Sequence, residues 1–161
     1  MAKHINITLE NLAKDILINN DMLKLPVNLI EIATNHNIEV YYEKLPEGIS
    51  GAIKYNKEKE KYQILIEESE PESRKRFTLA HELAHFFLKD VSKDKLHYDV
   101  AYRGAKNDRE KRADYFAGAL LMEESMLRRL YNINPSIKEL SRLFNVSDSA
   151  MTVRLMTLGI I

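Results

Sequence analysis

Apolar residues recur at helical spacing at both ends of this chain and in two stretches of its second half, and at strand-like spacing between residues 38 and 66. Near the start, Leu9, Leu12, Ala13, Ile16 and Leu17 form a helical stripe that Thr8 or Asn11 can begin. Leu25-Pro26-Val27 then opens a second helix, carried by Leu29, Ile30 and Ala33 and ended by Asn35 to Asn37. Ile38 to Tyr42, Ile49 to Tyr55 and Tyr62 to Ile66 read as three short strands, with Gly48 and Gly51 allowing tight backbone and Lys57 to Lys61 turning into the third. Ser69-Glu70-Pro71-Glu72 has the form of a capping box, so a helix should start there and run to about Leu88. Phe77, Leu79, Ala80, Leu83, Ala84, Phe86, Phe87 and Leu88 make that helix apolar nearly all round, which predicts burial.

Another helix should run over Asp108 to Met122, its apolar face carried by Ala113, Phe116, Ala117, Leu120 and Leu121. Asn134-Pro135 caps a helix bearing Ile137, Leu140, Leu143 and Phe144; Asn145-Val146 makes a turn, and Ser147 caps a last helix that Gly159 stops. The expected fold is α+β: a small three-stranded twisted sheet packed by helices, with a C-terminal helical pair. One domain over 1–161 is expected, divided into N-terminal helices (1–36), the sheet and two central helices (38–122), and a helix-turn-helix-like part (134–158).

Buried polar residues in the apolar helix need partners, and His81-Glu82-Leu83-Ala84-His85 supplies three. At about 3.6 residues per turn, two histidines four apart share a face and can aim both rings at one ion. Glu82 lies about 100° round from His81, placed to act on a water at that ion. Zinc in hydrolytic sites takes three protein ligands and keeps a further position open, so a third side chain must come from elsewhere. Glu110, one turn before Asp114, is the preferred candidate, with Asp108 and Glu124 as rivals. Asp114 would accept the free ring N–H of a ligating histidine, foremost His81. Manganese and iron accept the same ligand types.

Three ordered blocks carry a family resemblance: Arg76 to Phe86; Glu110 to Met122; and Leu140 to Ser147 leading into Ala150-Met151 and Arg154-Leu155. Over them, and over most of residues 25–161, the chain resembles the ImmA/IrrE-type metallopeptidases of phage immunity, mobile elements and stress response. The resemblance implies a zincin-like core, zinc as cofactor with Glu110 as third ligand, and cleavage of a helix-turn-helix repressor or antitoxin-like regulator. Its alternative is a metal-stabilised module that binds a regulator without cutting it. Two departures stand out. Glu123 replaces the family's usual proline after Leu121-Met122, which should let the helix continue toward Leu130, and Arg112 stands where relatives often have glutamate or glutamine. Residues Lys89 to Asn107 are expected to cross between the ligand helices as a cleft wall, offering His97, Tyr98, Tyr102 and Arg103 as substrate or oxyanion contacts. An exposed sheet edge could take a substrate peptide as an added strand.

Composition narrows the setting. With 161 residues, 45% hydrophobic and 30% charged, the chain reads as a globular protein with one sizeable core. Cysteine is absent, which removes disulfides, thiolate ligands and a cysteine nucleophile and fits a reducing cytoplasm. No membrane span or signal peptide is read. Lys+Arg and Asp+Glu both total 24, so net charge supplies no drive toward nucleic acid. The final helix carries Arg154 as its one lysine or arginine and opens on Asp148, which argues against DNA binding through the helical pair.

Overall fold

The computed structural model describes residues 2–94, 97–100 and 106–161, with residues 2 and 97–100 described by backbone alone. Helices α1 (Ala2–Asn19) and α2 (Leu29–Asn35) precede strands β1 (Ile38–Glu43), β2 (Ile49–Asn56) and β3 (Lys61–Glu67). Then come α3 (Glu72–Phe87), β4 (His97–Val100), α4 (Asp108–Leu121), α5 (Glu124–Ile133), α6 (Ile137–Phe144) and α7 (Asp148–Thr157). The three expected strands are present, and β4 adds a fourth from within the expected connection, giving the order β1-β3-β2-β4. β1 runs parallel to β3, while β2 pairs antiparallel with both β3 and β4. Four residues with no hydrophobic run to announce them are held by pairing to β2, a tertiary contact that local pattern does not encode.

Helix α3 packs between the sheet and α4, with α1 against α4 and α2 against β1. Ile53, Ile64 and Ile66 of the sheet, Leu79 and Leu83 of α3, Phe116 and Leu120 of α4 and Leu17 of α1 belong to one continuous buried core. Burying one such side chain stabilises the fold by about 1.5–3 kcal/mol, so the layered arrangement follows from the apolar stripes.

Several boundaries differ from the sequence reading. Helix α1 starts at Ala2, ahead of Thr8, because adding residues to an existing helix costs far less than starting one. Asn28 begins α2 by accepting from the Glu31 N–H, so Leu25-Pro26-Val27 precedes that helix. Ser69 bonds Glu67 instead of capping α3, whose N-cap is Pro71. Ser136, accepting from Glu139, opens α6 in place of Asn134-Pro135.

The fifth change concerns the missing proline. The chain leaves helical geometry at Met122, and the Glu123 carboxylate accepts the N–H groups of Ser125 and Met126 to start α5. Glutamate thus breaks the helix that it was expected to extend, because its side chain satisfies donors that a helix start leaves without backbone partners. Burial would raise the Glu123 carboxyl, but those backbone donors and Lys14, 3.7 Å away, hold it below the ordinary 4.5.

Glu123→Ala should cost about 1 kcal/mol of stability at neutral pH, as loss of a helix cap does. Because the folded-state value is depressed, the wild-type advantage is fully present above pH 4.5 and fades as pH falls through the lower folded value. Urea unfolding of both proteins across that range checks it.

Candidate metal centre

Helix α3 buries eight successive residues, Thr78 to His85, against β2, β3 and α4. His81, Glu82 and His85 fall within that run and are 1%, 0% and 0% exposed. Glu110 reaches the same place from the first turn of α4, where Asn107 caps the helix by accepting its N–H at 2.9 Å. Its neighbours Asp108, Arg109, Lys111 and Arg112 face solvent, while Glu110 is 2% exposed. The partial positive charge at a helix N-terminus favours a carboxylate there.

The two ring Nε2 atoms lie 3.1 Å apart. Glu110 straddles them, with Oε2 2.9 Å from His81 Nε2 and Oε1 3.4 Å from His85 Nε2. The opposite side of each ring has its own acid. His81 Nδ1 is 2.7 Å from Asp114 Oδ1, and His85 Nδ1 is 3.0 Å from Asp90 Oδ2. A ring that donates from Nδ1 to a carboxylate presents a lone pair at Nε2, so this pairing sets both lone pairs toward a common point. A cation between the two Nε2 atoms would satisfy both lone pairs. Tetrahedral zinc with bonds of about 2.0–2.1 Å would put its ligand atoms about 3.3 Å apart, and the three separations bracket that spacing. One donor atom from each of His81, His85 and Glu110 lies within 4.8 Å of the others, so the group fits a metal ion.

Asp114 is the acid expected behind His81. Burial alone would raise its carboxyl, but His81 and Lys106, whose Nζ is 2.7 Å from Oδ2, outweigh burial and lower it. Asp90 was not anticipated. The turn ending α3 puts Lys89 at φ 58°, returns the Asp90 N–H to the His85 carbonyl at 2.9 Å, and so swings its carboxylate under the ring. An acid five residues after the second histidine, just past the helix end, was the available signal.

Glu82 faces β2. A Cβ added to Gly51 would lie 3.3 Å from Glu82 Oε1 and 2.6 Å from Thr78 Cγ2, so glycine is what lets α3 sit this close to the strand. Neither rival ligand joins the group: Asp108 is exposed, and Glu124 starts α5, paired with Arg128 at 2.8 Å. His97 and Tyr98 lie on β4 opposite Ile53 and Ala52 of β2, with their side chains outside the described residues. Tyr102 and Arg103 also lie outside them.

The family Peptidase_M78, the IrrE N-terminal-like domain, matches residues 33–156, which takes in every residue of this centre. The chain belongs to that family. Its fold is shared with a solved structure titled Mycobacterium tuberculosis transcriptional regulator, at a TM-score of 0.66 and 20% identity. The match covers 92% of this chain and 46% of that one, so this chain spans less than half of its length. No curated protein matches. The family is one of metallopeptidases, and the buried His-His-Glu group is compatible with that chemistry. Among the described residues, no helix is long and apolar enough to cross a membrane.

Removing Asp90 should loosen the hold on the ion without touching a ligand. Asp90→Ala is expected to weaken zinc binding by about 10–100-fold, measured by competition against a chelator of known affinity.

Proposed function

We propose that this protein is a zinc-dependent endopeptidase that cuts a transcriptional regulator at a specific peptide bond. The observation that carries the reading is the convergence of His81 Nε2, His85 Nε2 and the Glu110 carboxylate on one point, one residue from a buried glutamate. His81, His85 and Glu110 would hold the ion. Zinc bound there acidifies a water and polarises a scissile carbonyl.

The chain's own residues do the rest. Glu82 takes a proton from the attacking water and returns it to the departing amine. A purely structural metal site needs no base at that position. Its packing against Gly51 limits the orientations open to the Glu82 carboxylate. Asp114 and Asp90 keep each ring in the tautomer that binds metal, and Lys106 keeps Asp114 ionised.

Two things support a regulator as substrate: membership in the IrrE N-terminal-like family and a shared fold with a protein titled as a transcriptional regulator. A helix-turn-helix repressor or antitoxin-like protein encoded beside this gene is the first partner to try. The helical pair is itself a poor DNA reader. Arg154, the sole cation of α7, is 4% exposed and committed to Glu10 at 2.6 and 2.9 Å.

Incubating zinc-loaded protein with the adjacent regulator should give two fragments by intact mass. Glu82→Gln should keep its zinc and lose at least about a hundredfold in rate, the scale of general acid–base catalysis. Undiminished turnover by pure Glu82→Gln protein rejects the role of Glu82. A stable complex without cleavage by either protein favours the non-cutting module.

A further inference from the structure

Beside the centre, the first half of α3, the length of α4 and the exposed side of α7 enclose an open cleft of about 760 Å³. His81 and Asp114 form part of its wall, so the cleft adjoins the ligand shell. Phe77, Met122, Val146, Ala150 and Val153 give it an apolar lining, and Val153 is 62% exposed. Among the described residues of its wall, Arg74, Lys106 and Lys111 add cationic groups against one carboxylate, that of Asp114. That carboxylate is taken up by His81 and Lys106, while Arg154, the other cation in the wall, is taken up by Glu10. Glu70 meets Arg74 at 3.3 Å but is shared with the Ser50 hydroxyl, and Lys111 stands exposed on α4. The N-terminal ends of α3, at Pro71 and Ser73, and of α7, at Ser147 and Ser149, open onto the same space and add partial positive charge.

We propose that this cleft is where the substrate polypeptide docks beside the metal centre, and that it selects segments pairing an aliphatic side chain with a carboxylate. The proposal rests on the peptidase reading above. The aliphatic group packs against Val146, Ala150 and Val153, and the carboxylate reaches Lys111 and Arg74. A polypeptide fits better than a nucleic acid, because α7 meets the cleft with Ser149, Val153 and Thr157 and no free cation. The helix-turn-helix-like pair thereby supplies one specificity wall through Val153 of α7, and Lys111 of α4 is the second determining residue across the cleft.

The test uses zinc-loaded full-length protein and three fluorescein-labelled, unstructured peptides of equal length, one rich in leucine and glutamate, one in leucine and lysine, one in serine and glutamate. Binding is read by fluorescence anisotropy, cleavage by mass spectrometry, and zinc content is measured for every variant. The leucine–glutamate peptide should bind best. Lys111→Glu and Val153→Glu, both at exposed positions, should each weaken it about tenfold, and Lys111→Glu should shift preference to the leucine–lysine peptide. Equal binding of the three peptides, or unchanged affinity in both zinc-loaded variants, overturns the proposal. Cleavage without the preference sinks the docking site and leaves the peptidase reading standing; the preference without cleavage of any peptide or regulator does the reverse.

Discussion

Two imidazoles and two carboxylates lie buried between α3 and its neighbours, and such groups are tolerated in an apolar interior only when each is matched in charge and hydrogen bonding. That requirement organises the molecule. His81 and His85 are matched on one side by Asp114 and Asp90 and on the other by Glu110 and each other. The point that the Nε2 atoms face is one where a metal ion would fit. An ion held there would stabilise the fold, since a ligand that binds the native state alone shifts the folding equilibrium toward it.

The surrounding structure holds these groups in register. β2 contributes by omission, since the absence of a side chain at Gly51 brings α3 down onto the sheet. α4 contributes its first turn, where Asn107 fixes the helix start and Glu110 becomes the inward residue of an otherwise solvated charge run. Farther out, Arg154 bonds the Met122 carbonyl and both oxygens of Glu10, and its guanidinium lies 5.7 Å from the Tyr115 ring centre. This network ties α1, α4 and α7 together behind the cleft. Tyr115 donates to the same Glu10, and burial with that acid pushes its hydroxyl up to about 12. Deleting Glu10 would leave the buried Arg154 guanidinium without its counter-charge.

What could be read from the chain divides along physical lines. Helices α3 and α4 were legible because their apolar stripes are long and their polar residues fall at intervals that only a helix turns into a site. Asp114 was legible for the same reason, one turn from Glu110. The N-terminal cap of α3 was misread because Ser69 found a nearer acceptor in Glu67. Asp90 depends on a left-handed residue at Lys89, a conformation that an ordinary lysine does not advertise. β4 depends on β2 lying alongside, and Glu123 on the choice between propensity for helix and capacity to cap one. These misses sit where a neighbour in space, or a turn, decided the outcome.

The measurement closest to the central claim is anomalous diffraction at the zinc absorption edge from crystals grown with zinc. The account predicts one strong peak about 2.0–2.2 Å from His81 Nε2, His85 Nε2 and a Glu110 oxygen. A zinc-loaded protein with no peak there, or with the ion bound by other side chains, would contradict it.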